Sequence, residues 1–210
     1  MTNFIATGMR TKLPEGAHAV NTCIRNDTAE TGSGTAWAWS NPTNRMFPAT
    51  HKNDPECSAV SLECLWQGTK IRTAGTGPDQ QILRGYWRRG KGRRPIGAWN
   101  GPNRPLITSP GEARREIYLP AFVNQLHRQL TENVAAREML LDAIATHDTI
   151  YLRDFDTGQG VDRNGPMSHA WVMATILNGD DAKFGKIDNN TADKIAEIQR
   201  IAKLRQPRML

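Results

Sequence analysis

The chain has 210 residues, 38% of them hydrophobic, and carries 27 Lys and Arg against 21 Asp and Glu for a net charge of +6. That length supports one complete core with decorations. No apolar run reaches membrane-spanning length and residues 1–10 lack a basic-then-apolar leader pattern, so a soluble, cytoplasmic protein without membrane partners is expected. The cysteines are Cys23, Cys57 and Cys64, an odd number without CxxC spacing, and His51 alone does not complete a tetrahedral set with them. That pattern argues against a disulfide framework and a structural zinc, and neither metal nor cofactor is expected.

In chain order, residues 1–57 are rich in turn formers, with short extended pieces at 17–23 and 35–39; residues 1–34 read as an irregular N-terminal extension. Ser61–Lys70 has a helical pattern, with Ser61 as N-cap and Leu62, Leu65, Trp66 and Thr69 as the seating face. Residues 80–87 form a further short helix, and the Gly, Pro and Arg density of 88–111 rules out a long regular element there. A helix is expected over 111–130, kinked at Pro120. A second follows, capped by Thr131, with Val134, Met139, Leu140, Leu141 and Ile144 inside. The alternation at 149–153 predicts a strand, Ser168 caps a helix over 169–177, and Asn190 or Thr191 caps a last helix buried along Ile195, Ile198 and Ile201. Residues 181–210 read as a C-terminal helical extension. The whole is expected to be one α+β domain, helix-rich, with a small sheet of short strands.

Three constellations carry possible chemistry. Glu63, Gln67 and Lys70 recur at i, i+4 and i+7, so one helix face would align a carboxylate, an amide and an ammonium, with Glu63 near the positive end of the helix dipole. Such a row can hold a sugar or nucleotide; its alternative is a solvated face with a weak Glu63–Lys70 attraction. Asp154 and Asp156, at the end of the expected strand, would project to the same side and meet a ligand or cap the following turn. Ser168-His169 is the third, with His169 either catalytic or completing a helix start. No nucleophile elbow, Walker loop, dinucleotide fingerprint or HExxH motif occurs, which leaves carboxylate chemistry at a glycosidic bond. Arg84, Arg88, Arg89, Lys91, Arg93 and Arg94, interleaved with Tyr86, Trp87 and Trp99 in a glycine-rich and therefore mobile loop, suit a nucleotide or a single-stranded nucleic acid.

Glu63-Cys64-Leu65-Trp66-Gln67-Gly68-Thr69-Lys70 resembles the Glu-His-x-x-Gln-Ala-x-Lys helix of the NADAR superfamily. Trp39-Ser40-Asn41-Pro42 is similar to the strand that precedes that helix. Arg114-Arg115-Glu116-Ile117-Tyr118-Leu119-Pro120, Leu152-Arg153-Asp154-Phe155-Asp156 and Pro166-Met167-Ser168-His169-Ala170 follow in the order of a divergent bacterial and phage branch. The resemblance implies a NADAR-like fold. It implies an N-glycosidase acting on a nucleotide, an ADP-ribose-like small molecule, or an ADP-ribosylated or modified nucleic acid, in the host cytoplasm where phage-encoded. Glu63 and either Asp154 or Asp156 would be catalytic. Trp39, Asn41, Trp66, Gln67, Lys70, Arg88, Arg89, Arg115, Ser168 and His169 would bind substrate. Cys64 stands where the family has His, and the family's Arg-x-x-Trp-Glu and Gly-x-Asn-x-Leu-Gly motifs are not present. A binder that sequesters a nucleotide or an NAD-derived ligand without turning it over, or a phage nucleic-acid-associated factor, are the alternatives; the sequence leaves the oligomeric state open.

Overall fold

A computed structural model describes residues 2–22, 40–41, 47–90 and 94–204. The fold is α+β, rich in helix, with small sheets of short strands. The chain packs as two compact units, one drawn from Met1–Asn41 and Leu126–Leu210, the other from Pro42–Gln125.

The first unit is built on a three-stranded parallel sheet in the order β1 (Asn3–Gly8), β7 (Thr149–Asp154), β2 (His18–Asn21). The extended piece expected at 17–23 is realised as β2, and β1 is a strand within residues expected to be irregular. Parallel strands need no tight turn between them, so a sequence reading that looks for hairpins does not find this pairing. β7 is the central strand, and Ile150, Leu152 and Asp154 alternate into its buried face. α6 (His169–Leu177) packs on β1 and β7, with every residue from Ala170 to Leu177 buried. Its C-terminal Asn178 exchanges two hydrogen bonds with the backbone of Phe4, donating at 2.8 Å and accepting at 2.9 Å. α7 (Asn189–Ala202) buries Ile195, Ile198 and Ile201 against α5 and α6, as its spacing requires. Its cap, however, is Asp188, which accepts from the Thr191 N–H at 2.9 Å.

α5 (Val134–Thr146) is capped by Asn133 rather than Thr131, whose hydroxyl instead donates back to the His127 carbonyl within the preceding helix. The helix start therefore moves two residues along. Val134 and Met139 are exposed, and Leu140, Leu141 and Ile144 remain its core face.

The second unit contains an antiparallel pair of β3 (Ala49–His51) and β4 (Asp54–Ala59), then α1 (Leu62–Gly68), β5 (Lys70–Ile71), α2 (Gln80–Leu83), a 3-10 turn at Trp87–Gly90, and β6 (Gly97–Ala98) paired with β5. Residues 87–90, expected to be a mobile loop, form a turn of helix closed on a buried Gly90. The path continues through α3 (Pro110–Ala113), a π-helical turn at Arg114–Tyr118 and α4 (Leu119–Glu132), which carries the chain into the first unit. The distortion expected at Pro120 falls in the turn before it. A proline ring collides with the carbonyl of the preceding turn and offers no N–H, and the widened turn, closed by the Leu119 N–H on the Arg114 carbonyl, absorbs both defects.

Candidate functional site

α1 begins at Ser61, whose extended backbone and side chain form a cap, Oγ accepting from the Cys64 N–H at 3.3 Å. Leu62, Cys64 and Leu65 go into the core, which leaves Glu63, Trp66 and Gln67 half-buried on the other side. The helix stops at Gly68, earlier than its spacing suggests. A Cβ there would lie 2.5 Å from Leu83, so α2 can approach only over a glycine. Thr69 turns its hydroxyl back onto the Leu65 carbonyl at 2.9 Å, and Lys70 leaves the helix for β5.

Lys70 nevertheless stays in the row. Its Nζ donates to Gln67 Oε1 at 3.1 Å, and Gln67 Nε2 donates to Glu63 Oε1 at 2.9 Å. The amide is held at both ends, so its orientation is set by a cation on one side and an anion on the other. The ammonium also lies 4.5 Å from the Trp66 ring centre, a cation–π contact. Burial pushes the Lys70 pKa down to about 8; Glu63 pulls it back up, and Arg72 and Arg114 push it further down.

Two arginines shape this environment. Arg72 donates to the carbonyls of Gln67 at 3.2 Å, Lys70 at 2.8 Å and Gly90 at 3.3 Å, tying the end of α1 to the end of the 3-10 turn. Arg114, buried at 5% exposure, stands on the π turn. From the same turn the buried Tyr118 ring meets Trp66 edge-on at 5.5 Å, and Glu116 pairs with Lys52 at 2.8 Å. Arg115 is half-buried there. π turns inside α-helices recur at functional sites because they re-aim side chains.

In the same unit, Arg84, Tyr86, Trp87, Arg88 and Arg89 line an open groove of about 810 Å³. Tyr86 is 70% exposed, and the Arg88 guanidinium lies 5.5 Å from the Trp87 ring centre.

Asn41, Asp154, Asp156, Ser168 and His169 belong to the first unit, and Trp39 lies outside the described residues. Asp154 and Asp156 do not share a strand face: β7 ends at Asp154, which is buried, and Asp156 beyond it is exposed. Asp154 Oδ2 accepts from Ser168 Oγ at 3.0 Å, from the His169 N–H at 2.7 Å and, more loosely, from the Ala170 N–H at 3.5 Å. Its other oxygen accepts from the Asp156 N–H at 3.2 Å. Ser168 Oγ in turn accepts from the Trp171 N–H, so serine and aspartate cap α6 together. Asn41 is buried.

Among the described residues no group of three or more His, Cys, Asp and Glu gathers as a metal would need. Cys57 and Cys64 are free and buried, and burial raises the Cys57 pKa to about 12; Cys23 lies outside the described residues. No described helix is long and apolar enough to cross a membrane. Residue spacing alone points to Glu63, Gln67 and Lys70 but not to Arg72 or Tyr118. The signal for the π turn that carries Arg114 and Tyr118 is Pro120, set behind an unbroken helical pattern.

Fold and site together define an α+β protein with a carboxylate–amide–ammonium row on a short capped helix. The chain belongs to DUF6939, a family of unknown function whose model matches residues 48–173. That span takes in the row, the π turn, β7 and the capped start of α6. Neither a curated protein nor a solved structure matches the chain.

Proposed function

We propose that this protein hydrolyses an N-glycosidic bond in a nucleotide or an ADP-ribosylated base, in the cytoplasm of its cell or phage host. Glu63 serves as the reacting carboxylate and Lys70 as the cation that takes a phosphate or sugar oxygen. One observation carries the reading: the row keeps bonding capacity at both ends. Lys70 has three N–H donors and a single acceptor, a neutral amide oxygen. Glu63 Oε2 has no hydrogen-bond partner among the described residues. A half-buried ammonium with donors to give favours an anion. A carboxylate held nearby in fixed orientation can stabilise the positive charge that grows on the anomeric carbon, or take a proton from the attacking water. The resemblance of Glu63–Lys70 to the NADAR helix supports the same assignment.

The test is a product assay by mass spectrometry. Wild type and Glu63→Gln are incubated with NAD, ADP-ribose, nucleotide pyrimidine intermediates and ADP-ribosylated guanine oligonucleotides. Release of a free base or of ADP-ribose by the wild type alone, at equal melting temperature, is the expected result. Intact substrates throughout would overturn it.

A second reading, capture of a nucleotide or NAD-derived ligand without turnover, is favoured by one observation. Glycosidic hydrolysis ordinarily employs two carboxyl groups, and the Asp154 carboxylate is already engaged in capping α6. Under that reading a ligand raises the melting temperature and is recovered unchanged.

A further inference from the structure

We propose that the turn from Arg84 to Gly90 is a grip for single-stranded nucleic acid, with Tyr86 and Trp87 as stacking faces and Arg84, Arg88 and Arg89 as phosphate contacts. The proposal stands without the chemistry assigned to Glu63; the two meet only in that a strand would carry the reacting base.

The first argument is the fixed backbone. Ile82, Leu83 and Gly90 are buried, so the turn is anchored on both sides, while Arg84, Tyr86, Arg88 and Arg89 are exposed and Trp87 is half-buried. The Leu83 carbonyl accepts from the Val60 N–H at 3.0 Å, and the Gly90 carbonyl accepts from Arg72 at 3.3 Å. A Cβ at Gly90 would lie 2.6 Å from that guanidinium, so a larger residue there would displace the arginine end. Arg89 N–H closes the turn on the Tyr86 carbonyl at 2.9 Å. The aromatic and basic side chains therefore stand on an ordered platform, which lowers the entropy lost on binding.

The second argument is charge. Asp79 is the carboxylate that meets these arginines, 3.8 Å from Arg89 Nε, and its other oxygen already caps α2 by accepting from the Gln81 and Ile82 N–H groups. Arg84 and Arg88 have no carboxylate partner among the described residues. The groove accordingly presents a positive field to a polyanion.

The third argument separates a single strand from other polyanions. A ring 70% exposed, as Tyr86 is, offers a flat face that an unpaired base can cover. Paired bases keep their faces inside the duplex, and an acidic peptide has none to offer.

Fluorescence anisotropy with a labelled mixed-sequence RNA of about ten nucleotides, and its DNA counterpart, tests the proposal. Over about 50 to 300 mM salt, log K should fall against log[salt] with a slope of about −2, each of three phosphates contributing about 0.7. Arg88→Gln should reduce the slope by about 0.7. Tyr86→Ala should weaken binding about tenfold for every sequence and leave the slope unchanged. Both side chains are exposed, and equal melting temperatures confirm intact folding. Capture of the strand is read apart from product release, so loss of capture in the arginine and tyrosine variants while small-molecule substrates are still turned over separates this site from the row.

Absence of binding at low salt would overturn the proposal, as would binding unaltered in the Arg84→Gln, Arg88→Gln, Arg89→Gln triple variant. Equal affinity for a blunt duplex would give the groove to double-stranded nucleic acid. Competition by polyglutamate at equal charge would give it to an acidic protein.

Discussion

Helices α1 and α6 begin alike, each with a serine cap in extended backbone and a carboxylate beside its first turn. At α6 the carboxylate, Asp154, is 2% exposed and is saturated by the Ser168 hydroxyl and three backbone N–H groups. At α1 the carboxylate, Glu63, belongs to the helix itself, faces away from the core, and accepts from Gln67 on one oxygen only. A buried acceptor that is fully engaged holds a fold together; a half-buried one with an oxygen to offer can meet a substrate. Residue type is nearly the same in both places, and the number of donors around it decides the role.

Substitution of the two carboxylates should separate them. Glu63→Gln keeps the shape of the row and removes its negative charge. Product formation should fall about 10²–10⁴-fold, with the denaturation midpoint moving by less than about 0.5 kcal/mol equivalent. Asp154→Ala should do the reverse. It strands the donors at the start of α6 and should cost about 3 kcal/mol in urea denaturation, with Asp154→Asn recovering part of that because an amide oxygen still accepts. A stable Asp154→Ala protein that makes no product would move Asp154 into the chemistry and dissolve the contrast.

A smaller effect comes from pH. Lys70 has a folded pKa near 8, below the ordinary lysine value, so its ammonium is present below that pH and lost above it. The affinity of an anionic ligand such as ADP-ribose should therefore be flat below pH 7 and fall as pH rises through 8, by about tenfold at pH 9. Calorimetric titration across that range checks the sign, and Lys70→Met should remove the step. The smallest effect concerns the caps. Ser61→Ala loses one hydrogen bond to the Cys64 N–H and should cost about 1 kcal/mol. Ser168→Ala loses a similar bond and also leaves Asp154 without its hydroxyl donor, so the difference between the two melting shifts should favour Ser61→Ala by about 1 kcal/mol.

Local chemistry made much of this legible in the sequence. Ser61 and Ser168 cap where their neighbours predict, and the isoleucine stripe of α7 is buried as spaced. The elements that escaped are those whose determinants lie far along the chain or within one turn. β1 has no partner near it in sequence, pairing with β7 from Asn3↔Thr149 to Gly8↔Asp154. At the end of α1 Leu83 lies close over Gly68, a contact that no helical pattern records. At the candidate site the row itself was readable, because i and i+4 spacing needs only a helix. That Lys70 would leave the helix and still reach Gln67 was not, since it depends on β5 pairing with β6. The expected pairing of Asp154 with Asp156 failed because the strand stops two residues short of Asp156.

The sheet order β1-β7-β2 also sets a timetable for the growing chain. Strands β1 and β2 leave the ribosome before β7, yet among the described residues both pair only with β7, which is made after residue 148. Among the described residues, every strand partner of the Pro42–Gln125 unit lies within its own span, so its pairings can close while β1 and β2 still wait. The Pro42–Gln125 unit is thus positioned to fold before β1 and β2 find their place in the sheet.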